Sequence, residues 1–417
     1  MSLRVAILID DFFPASGGIS RSVQTQAEEL SHRGVDVTLI VPDRHLEKPR
    51  TCRVIECPTL HHDSLPSHLS VLHWSERRAE RISRLAQFDV VHSQTDRGAV
   101  VLGARVARLQ GIPHVHTFHA NIAGTHAVLP FASFWGTLAH EVLTTRALAK
   151  ATRRAPRFHA SLPPFSPEID SHNLFSRMDW RSYGWIAAHV DLVTSPAQYM
   201  LDNIERAVGK AIGGVAIPNA YNRTMRDAIA ATRRQRGSEG VRFLSIGRLS
   251  AEKRLPVLIR AFKEANLPDA ELVIVGDGDQ RRRLQAEAGS HPRIDFRGHL
   301  SDRHALASEF ANADALVLSS YRFDVQPMVI VEAALAGLPT VYCDDRLTTG
   351  LTAQSALLTE PDHRSLAQGL ITMADPQTRA RYSAATAELV EKLSPDVMAA
   401  AYLDAYAEAI QRKATRG

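Results

Sequence analysis

Cysteine is scarce: Cys52, Cys57 and Cys343 are the only three in 417 residues. Three thiols cannot all pair within one chain, which argues against a secreted disulfide framework and makes the reducing cytosol the expected compartment. Long apolar runs are also lacking, and no stretch approaches the ~20 residues of a membrane-spanning helix. The opening run Leu3 to Ile9 is cut short by Asp10 and Asp11, and no small-residue cleavage site follows. It reads as a first core strand rather than a leader. Charge of one sign is barely in excess, at +4 with a pI near 9.0. Zinc-finger spacing, RNA-binding aromatic signatures and basic-leucine heptads are missing too, so no nucleic-acid partner is expected. Histidine is abundant, 19 in all, yet His61-His62 and His114-Val115-His116 lack the carboxylate or cysteine partners of a metal centre. No metal or other cofactor is expected.

The remaining composition is globular, with 45% hydrophobic and 23% charged residues. A chain this long suits two α/β domains of roughly 150 to 200 residues each. Apolar runs alternate with helical patterns throughout. Strands are expected at Val5–Ile9, Val35–Val41, Asp89–His92, His114–Phe118 and Leu192–Thr194, and again at Val241–Ile246, Glu271–Val275, Ile294–Phe296, Ala315–Leu318 and Thr340–Tyr342. That order predicts two doubly wound parallel-sheet domains of Rossmann-like type. The charged, glycine-bearing stretch Thr232–Gly240 is the best linker, which sets the domains at 1–225 and 238–394. A capped helical pattern follows over 395–417.

Chemistry concentrates at Ser319–Glu332. Asp324 and Glu332 stand eight positions apart, one before and one inside an expected helix whose first turn suits Pro327. The N–H groups between them would face anything anionic, so a phosphorylated sugar fits both demands; a solvated loop acid and a surface acid would look the same. Upstream, the strand Val241–Ile246 ends at Gly247, followed by Arg248 and Lys253 before another helical pattern. Close backbone approach followed by positive charge is what a diphosphate needs. Gly17 and Gly18 precede a further helix in the same manner, although an ordinary strand-to-helix turn has the same residues. Gly276-Asp277-Gly278 follows a strand, but Arg281 stands where a dinucleotide fingerprint has its third glycine, which weakens a dehydrogenase reading.

Taken in order, the motifs F-P-A-S-G-G-I (Phe13–Ile19), D-V-V-H (Asp89–His92), V-H-T-F-H (Val115–His119), I-P-N (Ile217–Asn219), G-R-L-S-A-E-K (Gly247–Lys253), L-V-I-V-G-D-G (Leu272–Gly278), F-R-G-H-L (Phe296–Leu300) and the acid pair resemble the retaining nucleotide-sugar glycosyltransferases of family 4. The resemblance covers almost the whole chain. It implies a GT-B fold, two Rossmann-like domains facing a cleft, with the acceptor in the first domain, the donor in the second, and the terminal helix packed back on the first. It implies catalytic roles for His119, Arg248, Lys253, Asp324 and Glu332. His119 would face the sugar from the first domain, Arg248 and Lys253 the diphosphate, Asp324 the sugar hydroxyls and Glu332 the ribose. Donor contacts would include Gly17, Gly18, Gly247, Gly276, His299, Leu300, Gln326, Met328 and Val329. Acceptor contacts would include Gly18, Gln94, Thr95 and His119. Asp324 stands where most members have glutamate, and Pro327 where glycine is common. The identity of the sugar therefore transfers less well than the reaction.

The expected substrates are a nucleotide sugar, UDP- or GDP-hexose, and a hydroxyl acceptor. His92-Ser93-Gln94-Thr95 and the segment Ala127–Pro167 resemble those of family members acting on diacylglycerol or other lipids, and that resemblance implies a lipid acceptor such as a diacylglycerol, although members acting on small glycosides share the same framework. That segment carries Leu129, Phe131, Phe134, Trp135, Leu138 and Val142 before Arg146, Lys150, Arg153, Arg154 and Arg157. A core-packed helix with a solvated basic end has the same composition as a lip touching an anionic membrane from the cytoplasmic side. A soluble acceptor, a non-catalytic sugar-nucleotide binder and a phosphorylase of the same fold are the other readings. No sequence feature specifies an oligomeric state.

Overall fold

The computed structural model describes residues 2–11, 17–43, 51–60, 70–127, 134–235 and 240–415, and for 134, 135, 143 and 144 the backbone alone. Phe13 to Ser16 of the first glycine motif, His61-His62, Leu129, Phe131 and the side chains of Phe134 and Trp135 lie outside that description. The chain divides into two compact units, residues 1–218 with 396–417, and residues 219–395.

In the first unit, β1 (Arg4–Leu8), β2 (Asp36–Pro42), β3 (Arg53–Cys57), β6 (Val90–Ser93), β7 (His114–Thr117), β8 (Leu192–Ser195) and β9 (Val215–Ala216) form one sheet in the order β3-β2-β1-β6-β7-β8-β9. Every pairing is parallel. β4 (Thr59–Leu60) and β5 (Val71–Leu72) make a small antiparallel pair. The central strands are buried along nearly their whole length because crossover helices cover a parallel sheet on both faces. On one face, Ala6 and Leu8 of β1 pack with Ala99, Leu102 and Val106 of the helix Gly98–Gln110 and with Ile82 of the helix Glu76–Leu85. The terminal helix Pro395–Ala414 buries Tyr402 and Tyr406 in this unit.

In the second unit, β10 (Val241–Ile246), β11 (Ala270–Val275), β12 (Ile294–Gly298), β13 (Ala315–Leu318), β14 (Thr340–Tyr342) and β15 (Ala356–Leu358) form a parallel sheet in the order β12-β11-β10-β13-β14-β15. Period-two alternation sends Phe243, Leu272 and Ile274 into one core, with Leu258 and Phe262 of the helix Leu255–Ala265 and Leu366 and Leu370 of the helix His363–Ala374. Leu244, Val273 and Val275 enter the other, with Leu306 and Phe310 of the helix Arg303–Ala311 and Ile330 of the helix Met328–Leu335. In both sheets the strand order reverses direction beside the first strand, between β1 and β6 and between β10 and β13. Ligands of open parallel sheets bind beyond the carboxyl ends of such strands.

The boundary between units falls at Pro218 and Asn219, and not in the charged stretch 232–240 or at 225. The reason is apolar: Met225, Ala228 and Ile229 of the helix Arg223–Ala231 join the second unit's core beside Leu306 and Phe310. The edge strands β3, β9 and β15 escape sequence reading because they are short and only partly buried, which erases their apolar signature. Among the described residues no helix is long and apolar enough to cross a membrane.

Gly98 opens its helix against β5, where an added Cβ would lie 2.2 Å from the Leu72 carbonyl oxygen. Backbone cannot step aside as a side chain can, so Gly98→Ala should cost ~1–3 kcal/mol as overpacking. Gly136, on the helix Phe134–Val142, has nothing within 4 Å of such an atom, and Gly136→Ala should stabilise by up to ~1 kcal/mol. Opposite shifts in thermal unfolding midpoint check the pair. Equal shifts would contradict it.

Candidate active site

In the second unit most of the side chains expected at the site follow the carboxyl ends of β10, β11 and β13. The backbone leaving β10 runs against that leaving β11: Gly247 N donates to Val275 O at 3.0 Å and Leu249 N to Asp277 O at 2.9 Å. An added Cβ at Gly276 would stand 1.9 Å from Gly247 O, and one at Gly278 would stand 2.5 Å from Leu249 O. The G-D-G motif therefore exists because two loop backbones touch. Asp277 binds Arg281 at 2.9 Å, so the residue in the third-glycine position holds this loop by charge. His299 is exposed beyond β12, while Leu300 packs against the sheet's second core.

Arg248 is half-buried, and Lys253 ends a short 3-10 turn, Ala251–Lys253. The Lys253 ammonium donates to both carboxylate oxygens of Asp324, at 2.7 and 2.8 Å. It also lies 5.6 Å from the centre of the Phe323 ring. The two loops thus meet through an ion pair, and the shorter aspartate arm reaches the lysine. Arg254, which the sequence reading passed over, holds this turn. Its φ of 51° is costly for a side chain, and its guanidinium donates to the Pro361 carbonyl and stands over Tyr321 at 5.6 Å.

Pro327 does not open the following helix. It is the residue before it, with an extended ψ of 132°, and the helix runs Met328–Leu335. Met328 and Val329 supply the first helical N–H groups, while their side chains are buried. Gln326, expected at the donor, is buried and bonded to Asn219: Asn219 N donates to its Oε1 at 2.6 Å and Asn219 Nδ2 to its carbonyl at 3.0 Å. Asn219, the last residue of I-P-N, is thereby fastened to the acid loop of its own unit. Glu332 is buried one turn into the helix.

In the first unit, Gly17 precedes the helix Gly18–His32 with φ 105°, a conformation that requires glycine. Thr95, expected at the acceptor, is tied to Asp10 instead: its Oγ1 donates to Asp10 Oδ2 at 2.6 Å and accepts from Asp10 N at 3.0 Å. Asp10 also accepts from Leu72 N at 2.6 Å and Ala99 N at 3.1 Å, and Arg97 lies 4.0 Å away. Burial nevertheless pushes its carboxyl up to about 6, opposed by Arg97 and Thr95. The Asp10-Asp11 pair after a strand was the available signal for this anchor. His116 is a satisfied core residue, bonded to Ser93 Oγ at 2.8 Å and Asp96 Oδ1 at 2.7 Å. His119 is half-exposed and meets Gln94 Oε1 through Nε2 at 2.7 Å. Burial lowers its pKa to about 4, partly offset by Asp96, so the ring is neutral near pH 7.

The segment after residue 134 is a helix, Phe134–Val142, then a π turn, Leu143–Ala147, then a helix, Leu148–Thr152. Its basic end is divided. Arg154 pairs with Asp191 at 3.0 Å and Arg157 donates to the Ala187 carbonyl, so both serve the unit's interior. Leu138, Val142, Arg146 and Lys150, spaced four apart, remain exposed.

Residues 16–223 match the family described as Glycosyltransferase Family 4, and residues 230–388 match Glycosyl transferases group 1. A GDP-mannose-dependent alpha-mannosyltransferase of Mycolicibacterium smegmatis is 27% identical over 82% of this chain and 80% of its own length. An alpha-monoglucosyldiacylglycerol synthase of Streptococcus pneumoniae is 20% identical over 81% of this chain and 70% of its own. The solved structure of Anabaena HepE in complex with UDP and glucose superposes with a TM-score of 0.69, covering 97% of this chain and 99% of that one at 17% identity. Two parallel-sheet units and these matches together show that the chain belongs to family 4, the retaining nucleotide-sugar glycosyltransferases of GT-B fold.

Proposed function

We propose that this enzyme transfers a hexosyl group from a UDP- or GDP-hexose to a hydroxyl of a lipid acceptor such as a diacylglycerol, working peripherally at the cytoplasmic membrane face. The observation that carries the donor half is the Lys253–Asp324 ion pair, which joins the loop bearing Arg248 to the loop that leads into the helix Met328–Leu335, with Glu332 one turn inside it. Cations and helix N–H groups suit a diphosphate, and a carboxylate one turn into the helix suits ribose hydroxyls. Arg248 and Lys253 would stabilise the nucleoside diphosphate as its bond to the anomeric carbon breaks. The acceptor hydroxyl would attack from the face the phosphate leaves, a phosphate oxygen taking its proton. Asp324 then has two tasks, sharing Lys253 with the diphosphate and meeting sugar hydroxyls. The lipid half is supported by the exposed stripe Leu138, Val142, Arg146 and Lys150, and by the diacylglycerol in the streptococcal relative's name.

A mass-spectrometric screen of UDP- and GDP-hexoses against membrane lipid extracts and soluble hydroxylated acceptors tests this directly. A hexosylated lipid is the expected product, and Arg248→Ala and Lys253→Ala should each slow its formation by ~2.7–4 kcal/mol in barrier, as other charge stabilisers do. Near-normal kcat and KM in either folded variant would misplace the donor site, and a product confined to soluble acceptors would replace the lipid.

Fixed cations can neutralise the diphosphate without a divalent ion, so turnover should persist in EDTA. A complete loss reversed by magnesium or manganese would overturn that expectation.

The exposed stripe should bind anionic vesicles by apolar area and by charge, each cation adding ~1 kcal/mol near the surface. In co-sedimentation, wild type should pellet at low salt and progressively less as salt screens the cations. Leu138→Ser with Val142→Ser should weaken binding at every salt concentration. A wild type that stays in the supernatant at low salt would remove the membrane reading.

A further inference from the structure

Beneath His119 the first unit buries polar groups that the reaction does not itself require. Gln26 lies on the helix Gly18–His32, His92 and Gln94 at the end of β6, Thr117 on β7 and Tyr406 on the terminal helix, all buried. They form one connected chain. His119 Nε2 meets Gln94 Oε1 at 2.7 Å, and Gln94 Nε2 donates to Gln26 Oε1 at 2.8 Å. Gln26 Nε2 donates to the Tyr406 hydroxyl at 3.1 Å, and that hydroxyl meets His92 Nδ1 at 2.9 Å. His92 Nε2 then meets Thr117 Oγ1 at 2.7 Å, which continues to Thr194 Oγ1 at 2.6 Å.

The chain has a direction. A carbonyl oxygen can only accept, so Gln94 Oε1 accepts a hydrogen bond from the His119 Nε2–H. The Tyr406 hydroxyl, accepting from Gln26, donates a hydrogen bond to His92 Nδ1, and His92 donates from Nε2 to Thr117. Amide orientation decides this polarity, and Gln94, Gln26, Tyr406 and His92 can reverse only together, because turning one alone would set donor against donor or acceptor against acceptor. The contact with His92 separates the two arrangements. The Gln94 amide atom that meets Gln26 lies 3.3 Å from His92 Nδ1 and 3.2 Å from Nε2, nearly equidistant, so that atom faces the ring. An N–H on an aromatic face is favourable, whereas a carbonyl oxygen there would meet the π density.

We propose that Gln94, backed by Gln26 and Tyr406, is a positioning residue that holds His119 in its Nε2–H tautomer, so that the ring offers Nδ1 as an acceptor to a sugar hydroxyl. The inference rests on the reading that His119 faces a sugar. Among the described residues Nδ1 has no hydrogen-bond partner, and the neutral ring keeps its lone pair over the ordinary assay range. Such a contact selects a hydroxyl over a group that cannot donate. It also makes the terminal helix, through Tyr406, part of the apparatus that orients His119.

The test joins spectroscopy to kinetics in the full chain. Two-bond proton–nitrogen NMR of 15N-labelled enzyme, with His119 assigned by its absence in His119→Ala, should show protonation at Nε2. Gln94→Met should move His119 to a tautomer mixture and lower kcat roughly 10-fold, as loss of an orienting partner does, while nucleoside diphosphate binding stays within about 2-fold. Tyr406→Phe, which keeps the ring's packing, should act in the same direction and guards against a Gln94 variant that fails to fold. In a His119→Ala background, Gln94→Met should cost nothing further. An unchanged tautomer in both single variants, or the same fold loss with and without His119, would overturn the proposal. Wild-type turnover in His119→Ala would instead sink the reading of His119 as sugar-facing, and the tautomer measurement would still decide whether the chain orients the ring.

Discussion

Two backbones in the second unit lie closer than any side chain would allow, and the arrangement of the loops after β10, β11 and β13 depends on that approach. Gly276 and Gly278 let the loop after β11 lie against the loop after β10, and two backbone hydrogen bonds lock them together. Because β10 is also the strand beside which the sheet reverses order, the locked loop presents Arg248 and Lys253 next to the loop after β13. Asp324 arrives there, and Asn219 fastens the same loop through Gln326. Move the glycines and the cations lose their place before any charge is changed.

The Lys253–Asp324 pair has consequences of its own. Both side chains are largely withdrawn from water, at 24% and 11% exposure, so removing one partner leaves the other charge poorly compensated. A diphosphate entering beside Lys253 would share the ammonium with Asp324 and need not find it empty. The acid thereby holds the lysine in one geometry, which favours charge stabilisation without reorganisation.

The first unit solves a different problem. Its sheet buries His92, His114, His116, Ser93, Gln94 and Thr117 near the carboxyl ends of β6 and β7, where apolar residues would pack at less cost. Burial drives the His92 and His114 pKa values well below the ordinary one, so these rings are neutral members of a hydrogen-bonded interior. Buried polar groups of this kind are tolerated when their partners are supplied together, and here they come from five chain segments, including the terminal helix. Distant parts of the sequence are required to fix one half-exposed histidine.

Reading residues in order was sufficient for the α/β class, for most central strands and for the family, because each leaves a local mark: apolar periodicity, a glycine after a strand, a run of motifs in fixed order. Sequence order could not say which polar residues turn inward. Thr95 and Gln326 carry the same donors and acceptors whatever surrounds them, and only packing brought them to Asp10 and Asn219. The unit boundary at Asn219 escaped for a related reason, since Met225 and Ile229 look apolar in either unit until a partner core is placed beside them. Tyr406, far from His119 in sequence, leaves no local trace of its link to Gln26. A hydrogen bond between distant segments has no period, so tertiary structure alone decided which side chains support the site and which are placed to form it.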